Sequence, residues 1–118
     1  MKSIRFAVVG YGHIGRRHAA LIAAHPEAEL VAVCDLLSMD ELTPLADSGM
    51  QVPLHKDLDT LLDTAFDVAC ICTPNGLHAR QAIRCLAAGR HVVIEKPIAL
   101  TVRECDELIA ASKKYNKE

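Results

Sequence analysis

Short apolar runs alternate along the chain with longer segments in which apolar residues recur every three or four positions. Most of the runs are rich in Val, Ile and Ala, which is typical of strands buried on both faces of a parallel sheet. The predicted strands are Ile4–Val9, Leu30–Asp35, Gln51–Leu54, Asp67–Cys72 and His91–Glu95. Strands that alternate with helices predict an α/β fold, in which a doubly wound parallel sheet is covered by helices on both faces.

The segments between these runs have the spacing of amphipathic helices. The predicted helices are His13–Ala24, Leu58–Leu62, Asn75–Ala88 and Thr101–Lys114. We expect the inward face of the first helix to include Ile14, Leu21 and Ile22. The inward face of the last helix is expected to hold Val102, Cys105, Leu108 and Ile109.

Two pairs of residues have the spacing of a capping box, which marks the start of a helix. Thr101 and Glu104 open the last predicted helix. Ser38 and Glu41 have the same spacing, but Pro44 would break a continuous helix after them. The stretch from 38 to 48 therefore has no firm assignment.

The composition is that of one globular domain. The 118 residues are 51% hydrophobic and 24% charged, and a chain of this length buries a substantial core. The formal net charge is −2 and aromatic residues make up only 3%, so neither a basic surface for nucleic acid nor a base-stacking platform is expected. No apolar run approaches the ~20 residues that cross a bilayer, and no secretory signal pattern occurs. We therefore expect a cytoplasmic protein with no nucleic-acid or membrane partner.

The five cysteines do not indicate a disulfide framework, because their number is odd and no Cys-x-x-Cys occurs. Cys70 and Cys72 lie two apart in a predicted strand and therefore share one face. We interpret them as small buried apolar side chains. A metal site would need further ligands nearby, so no metal is expected.

A glycine-rich turn joins the first predicted strand to the first predicted helix. Gly10, Gly12 and Gly15 form a G-x-G-x-x-G pattern, which in this context binds the pyrophosphate of a dinucleotide. Gly12 would let the phosphates approach the backbone, and the N-terminus of the helix would present free N–H groups to them. The predicted cofactor contacts also include the intervening Tyr11, His13 and Ile14.

Asp35 ends the second predicted strand, twenty residues after Gly15. A carboxylate at this point accepts hydrogen bonds from the hydroxyls of an adenosine ribose. It also repels a 2′-phosphate, and the residues that follow it at 36–38 include no arginine to bind one. The sequence therefore predicts NAD in preference to NADP. The alternatives are an Asp35 that only caps a turn and an S-adenosylmethionine enzyme, which uses the same pair of features.

Two further motifs follow the fourth and fifth main strands. The T-P-N-x-x-H motif contains Thr73, Pro74, Asn75 and His78, and the E-K-P motif contains Glu95, Lys96 and Pro97. Ligands of doubly wound sheets bind outside the carboxyl ends of the strands, where the strand order reverses. Both motifs are therefore expected to face the cofactor.

Together with GYGHIG and VAVCD, these motifs closely resemble the N-terminal domain of the Gfo/Idh/MocA oxidoreductases, a family that includes glucose–fructose oxidoreductase, inositol dehydrogenase and sugar-nucleotide dehydrogenases. The resemblance implies a dinucleotide-binding Rossmann domain over residues 1–118. It also implies hydride transfer between NAD and a secondary alcohol of a sugar, cyclitol or nucleotide sugar, in a homo-oligomer. Family enzymes have a second domain that holds the substrate, so the chain is expected to be an N-terminal part of a larger enzyme and inactive by itself.

The resemblance also implies roles for individual residues. Asn75 and His78 are expected near the pyrophosphate and nicotinamide, and Glu95 near the nicotinamide ribose. Lys96 is expected to be the catalytic residue that acts on the substrate hydroxyl. A proton must leave the oxygen as hydride leaves the carbon, and a lysine can stabilise the developing alkoxide. Pro97 would shape the backbone so that Lys96 points into the cleft.

Each of these assignments has a simpler alternative. Lys96 could be a surface lysine or could only pair with Glu95. His78 could only cap or pack its helix, and His13 could lie away from the phosphates. His18, on the apolar face of the first predicted helix, is expected to be a hydrogen-bonded core histidine rather than a ligand.

Other functions use the same fold. A non-catalytic dinucleotide-binding or sensor module would suit a chain without a substrate domain, but it gives Lys96 no role. A methyltransferase is disfavoured because the two motifs have no role in it. The substrate is not encoded in this domain, and a sugar-nucleotide uronate is the first hypothesis. The strand His91–Glu95 is expected at a sheet edge, which favours self-association.

Overall fold

The computed structural model describes residues 3–35 and 52–118. They form one parallel sheet of five strands in the order β3-β2-β1-β4-β5. The strands are β1 (Ile4–Val9), β2 (Ala28–Cys34), β3 (Leu54–His55), β4 (Val68–Ile71) and β5 (His91–Ile94). The helices are α1 (His13–Ala24), α2 (Leu58–Leu62), α3 (His78–Ala87) and α4 (Val102–Tyr115), with a 3-10 turn (Asn75–Leu77) before α3. The predicted α/β fold with a doubly wound parallel sheet is confirmed.

Most predicted bounds agree with the structure to within two residues. The start of β2 is earlier than expected because its pairing with β1 already begins at Ala28, opposite Ile4. The strand predicted at 51–54 pairs only at Leu54 and His55, beside Val33 and Cys34. The ambiguous stretch from 38 to 48 lies outside the described residues.

The apolar core has two layers, one on each face of the sheet. Alternate residues of β1 point to opposite faces, so Val8 packs beneath α1, whereas Ala7 and Val9 pack on the side of α2, α3 and α4. The strands therefore have no polar face, which explains their continuous apolar sequence.

The inward face of α1 differs from the prediction. Gly15, Ala19 and Ile22 are buried, whereas Ile14 and Leu21 are exposed. The helix lies close to the sheet, and small side chains at the contact permit that distance. The prediction placed the largest apolar side chains of α1 on its inward face, but two of them are exposed because the helix lies too close to the sheet to accommodate them.

The inward face of α4 is also narrower than predicted. Leu108 is buried and Cys105 is half-buried, but Val102 and Ile109 are exposed. One half of the predicted capping box is present, because the Thr101 hydroxyl oxygen accepts from the Glu104 N–H at 3.1 Å. The Glu104 carboxylate accepts from the N–H of Leu100 at 3.1 Å, one residue before the expected partner.

Strand β5 lies at the edge of the described sheet, as predicted. The N–H of Val92 donates to the carbonyl oxygen of Glu118 at 2.7 Å, and the N–H of Glu118 donates to Nδ1 of His91 at 3.1 Å. The residues after α4 therefore cover part of this edge. Across the described ranges, no helix is long and apolar enough to span a membrane.

Candidate functional site

A cavity of about 570 Å³ lies at the carboxyl ends of the parallel strands. It is located where the strand order reverses, with β2 on one side of β1 and β4 on the other. Gly10, Asp35 and Thr73 reach it from the ends of β1, β2 and β4. This is the crevice in which doubly wound sheets bind ligands.

The glycine turn forms one wall of the cavity. A Cβ on Gly15 would lie 1.9 Å from the carbonyl oxygen of Gly10, so α1 can approach the turn only with glycine there. A Cβ on Gly10 would lie 2.8 Å from the backbone of Cys72 and Thr73. Gly12 is different, because, apart from its chain neighbours, no atom of the residues that the structure describes lies within 4 Å of its Cβ position. The backbone at Gly12 therefore faces open space, which fits the approach of a pyrophosphate.

The N-terminus of α1 points its free amides at this open space. Gly12 is the N-cap residue of α1, and no side chain caps it. Uncapped N–H groups at a helix start bind anions because they carry hydrogen-bond donors and a partial positive charge. His13 and Ile14, in the first turn of α1, also line the cavity. Ile14 is thus exposed because it faces the site.

Asp35 lines the cavity and is tied to the glycine turn. Its carboxylate accepts a hydrogen bond from the backbone N–H of Tyr11. Its own N–H donates to the carbonyl oxygen of His55 at 2.9 Å. The carboxylate is held between β2 and the turn, so it belongs to the same wall as the predicted pyrophosphate site.

The side chain of Tyr11 does not face the cavity. It is buried against the layer beneath α1, and burial raises the pKa of its hydroxyl, an effect that Arg16 partly offsets. The guanidinium of Arg16 lies 5.6 Å from the ring centre. Tyr11 is therefore linked to the site through its backbone N–H, which donates to Asp35.

The T-P-N-x-x-H motif contributes only part of its residues to the cavity wall. Thr73 and Pro74 line the cavity, whereas Asn75 is exposed in the 3-10 turn outside it. Leu77 and Gln81 also line the cavity, although neither was a predicted site residue. Their spacing of four residues at the start of a helix that follows β4 was the available signal. The Thr73 hydroxyl donates to the side-chain oxygen of Gln81 and fixes its position.

His78 is buried rather than exposed to the cavity. The carbonyl oxygen of Pro97 lies 2.8 Å from Nδ1, and that of Thr73 lies within hydrogen-bonding distance of Nε2. His78 thus connects the loop after β4 to the loop after β5. Its side chain acts through these two backbone segments, which corrects the expectation of direct contact with a cofactor.

Glu95 and Lys96 lie beyond this cavity, at the end of β5. In the β4–β5 register, Glu95 follows Ile94 as Cys72 follows Ile71, so the two residues are neighbours across the strands. Glu95 pairs with His18, whose Nε2 lies 2.9 Å from its Oε2. The hydrogen bond from His18 is the main reason that the pKa of Glu95 is lowered. Lys96 is exposed, and its peptide bond to Pro97 is cis.

His18 differs from its predicted environment. It forms a hydrogen bond, as expected, but it is only half-buried and lies near the carboxyl ends of the strands instead of in the core.

The exposed side chain of Lys96 agrees with its predicted position in a cleft, and also with the simpler alternative of a surface lysine.

Two thiols at the cavity, those of Cys34 and Cys72, are expected to have low reactivity. Burial, with contributions from Cys70 and Glu95, raises the pKa of Cys72 to about 12. Burial also raises the pKa of Cys34 to about 11. A thiol acts as a nucleophile or metal ligand in its deprotonated form, so these residues serve as apolar wall.

The site is elongated. Asp35 and Glu95 follow β2 and β5, which are separated by β1 and β4. Three strand spacings correspond to roughly 14 Å. An elongated ligand can therefore extend from Asp35, across the glycine turn, to Glu95 and Lys96, as a dinucleotide would.

Comparison with protein families gives one match over nearly the whole chain. The sequence profile described as Gfo/Idh/MocA oxidoreductase family, NAD-binding Rossmann fold, matches residues 4–118.

Several characterised proteins are similar over the same region. The chain is 30% identical over 120 residues to 2,7-anhydro-N-acetylneuraminate hydratase of Mediterraneibacter gnavus, covering 98% of this chain and 30% of that protein. It is 32% identical over 116 residues to D-glucoside 3-dehydrogenase of Escherichia coli, covering 97% of this chain and 33% of that protein. The chain thus spans about a third of the length of these relatives.

The fold is also similar to that of a solved dehydrogenase. The structure of WlbA dehydrogenase from Chromobacterium violaceum, in complex with NADH and UDP-GlcNAcA, superposes with a TM-score of 0.90. Its sequence is 34% identical, and the match covers 99% of this chain and 34% of that one.

Proposed function

The chain belongs to the Gfo/Idh/MocA oxidoreductase family, and on that premise we propose that it binds NAD for hydride transfer to or from a secondary alcohol of a sugar, cyclitol or nucleotide sugar. The observation that carries this proposal is the open backbone at Gly12, between the uncapped start of α1 and Asp35. This arrangement matches the donors and acceptors of a dinucleotide.

Different residues of the chain bind different parts of the dinucleotide. The amides at the start of α1 bind the pyrophosphate, while the Asp35 carboxylate accepts from the hydroxyls of the adenosine ribose. The Glu95 carboxylate lies near the nicotinamide ribose of the bound cofactor. When bound, the nicotinamide supplies the hydride chemistry, and the protein supplies orientation and electrostatics.

Lys96 is the proposed catalytic residue. It is exposed at the carboxyl end of β5, next to Glu95, where a substrate can reach it. Its ammonium group donates a hydrogen bond to the substrate oxygen and stabilises negative charge as the proton leaves. His78 holds the loop that carries Lys96 through the carbonyl oxygen of Pro97. The substrate itself would be bound mainly by residues outside this chain.

The relatives support the proposed substrate class. A glucoside dehydrogenase and a dehydrogenase complexed with a UDP-linked uronate both support a sugar, and the second favours a sugar-nucleotide uronate. The cofactor is NAD rather than NADP because Asp35 repels a 2′-phosphate. A homo-oligomer and a cytoplasmic location stay predictions from the sequence.

Hydration of a sugar is a second candidate reaction, because one relative is a hydratase. In that case NAD binding would persist, but the sugar would undergo no net oxidation. Mass spectrometry of the product, together with the absorbance of NADH, separates the two reactions in the complete protein. A sensor module would bind NAD without converting any substrate.

Calorimetric titration with NAD and NADP tests the central proposal. We expect saturable NAD binding that is about tenfold or more tighter than NADP binding, because a carboxylate meets the 2′-phosphate. Absence of binding to both would contradict the proposed function. Equal binding would contradict the role of Asp35 alone.

A further inference from the structure

The pair formed by His18 and Glu95 connects α1 to the end of β5. These residues are 77 positions apart, and their side chains meet at 2.9 Å between Nε2 and Oε2. Both remain open to solvent, with 26% of the His18 side chain and 33% of the Glu95 side chain exposed. The contact is therefore accessible to protons and lies at the open end of the sheet.

In the ranges that the structure describes, few other charged groups lie at this corner. Lys96, next to Glu95 in the chain, adds a positive charge that acts on Glu95. Three groups of the neighbouring strands and turn stay neutral, because burial raises the pKa of Cys70 to about 11, that of Cys72 to about 12, and that of the Tyr11 hydroxyl.

The cationic residues of α1 are arginines, a residue type that carries a fixed positive charge. Arg16 lies over the Tyr11 ring, and Arg17 is exposed. His13 is the titratable group of α1 that lines the cavity near the glycine turn. Among the described residues, His18 is thus the imidazole that contacts Glu95.

We propose that the proton on His18 sets the relative affinity of the site for NAD⁺ and NADH, an inference that rests on the proposed NAD-binding function. The oxidised nicotinamide ring carries a positive charge, and the reduced ring does not. When His18 is neutral, the negative charge of Glu95 attracts the oxidised ring. When His18 is protonated, it compensates Glu95, and this attraction is lost.

The coupling must act in both directions. If a proton on His18 weakens NAD⁺ binding, then bound NAD⁺ equally weakens the binding of that proton. NADH has no such effect because its ring is neutral. The ratio of the two dissociation constants therefore depends on pH, and so does the reduction potential of the bound cofactor.

Calorimetric titration of the chain with NAD⁺ and with NADH, between about pH 5 and pH 8.5, tests the proposal. We expect the dissociation constant of NAD⁺, relative to that of NADH, to rise about threefold or more as the pH falls. His18→Gln keeps an amide that can donate to Glu95 but cannot gain a proton, so its ratio should stay constant. His25→Gln is the matched control, because His25 is exposed at the other end of α1, and it should behave as wild type.

The outcomes separate this inference from the proposed function. If neither cofactor binds at any pH, the proposed function is wrong and the inference falls with it. If both bind but the ratio is independent of pH, or still depends on pH in His18→Gln, the inference alone is overturned. A pH dependence that persists in His18→Gln would point to His13 as its source.

A second measurement covers a His18→Gln variant that fails to fold. The imidazole of His18 can be followed by NMR in the wild-type chain during a pH titration. We expect the midpoint of the His18 titration to be lower with NAD⁺ bound than with NADH bound. Equal midpoints in the two complexes would overturn the proposal.

Discussion

The backbone N–H of Tyr11 donates a hydrogen bond to the carboxylate of Asp35. One residue belongs to the glycine turn and the other to the end of β2, so this bond joins the two parts of the site that bind the pyrophosphate and the ribose in the proposed function. Asp35 therefore has two separable properties, an oxygen that accepts from the turn and a charge that repels phosphate.

Substituting Asp35 in two ways separates these properties. Asp35→Asn keeps an oxygen acceptor but loses the charge, so we expect NADP to approach NAD in affinity with little change in stability. Asp35→Ala also removes the acceptor for the Tyr11 N–H, which should lower the free energy of unfolding by about 1–3 kcal/mol and weaken both cofactors. Calorimetry and urea denaturation measure the two effects. An Asp35→Asn variant that still rejects NADP would exclude the charge as the cause.

Gly12→Ala and Gly15→Ala form a matched pair in the same turn. The new methyl group at residue 12 meets open space, so stability should change by less than about 1 kcal/mol while NAD affinity falls. The methyl group at residue 15 collides with the carbonyl oxygen of Gly10, which should destabilise the fold by about 1–3 kcal/mol or more. Thermal unfolding and calorimetry distinguish the two. Unchanged NAD binding in Gly12→Ala would place the pyrophosphate elsewhere.

Lys96→Ala tests the proposed catalytic residue in the complete protein. We expect kcat to fall by about a hundredfold or more, because a donor to the reacting oxygen is lost, while NAD affinity changes little. Lys113→Ala is the control, since Lys113 is exposed in the last turn of α4. Normal turnover at saturating NAD, together with weakened NAD binding, would assign Lys96 to the cofactor instead.

The Glu95 carboxylate should contribute to stability in a pH-dependent way. Its pKa is lowered in the folded state, mainly by the hydrogen bond from His18, so folding favours its ionised form. The stabilisation is present above the ordinary glutamate pKa and is lost as the pH falls through the lowered value. Urea denaturation should show wild type losing its advantage over Glu95→Gln in that acidic range. Glu29→Gln, at an exposed position of β2, controls for the amide itself. A constant difference between wild type and Glu95→Gln would contradict the linkage.

Self-association is expected from two exposed features. Val93 of the edge strand β5 is 45% exposed, and Leu100 beside the loop after β5 is 62% exposed. Light scattering over a concentration series should show a mass above that of the monomer. Val93→Lys should reduce it if β5 pairs edge to edge, and Leu100→Asp if the apolar side near the cleft is the contact. A strict monomer would mean that the contact of Glu118 with Val92 is enough to block the edge.

The elements and the glycine turn were predictable from the sequence because they depend on local spacing. Continuous apolar runs, a G-x-G-x-x-G between a strand and a helix, and an acidic residue at the end of β2 are each read within a few residues. The same local signals placed Thr101 and Glu104 at the start of α4 correctly.

Other properties depend on the distance between elements, which no local pattern contains. Ile14 and Leu21 were expected inside by their size, but the inward face of α1 is formed by Gly15, Ala19 and Ile22, and a Cβ at Gly15 would already collide with the carbonyl oxygen of Gly10. His78 has the spacing of a cofactor ligand, yet its nitrogens face the carbonyl oxygens of two loops.

The contact between His18 and Glu95 is the clearest case of this kind. Neither residue indicates the other in the sequence, because one lies on a helix and the other follows a strand 77 positions later. They meet because α1 packs on β2, β1 and β4, and Glu95 follows β5, the strand next to β4. The sequence by itself determined which residues were expected to bind a dinucleotide, and the tertiary structure decided which of them contact one another.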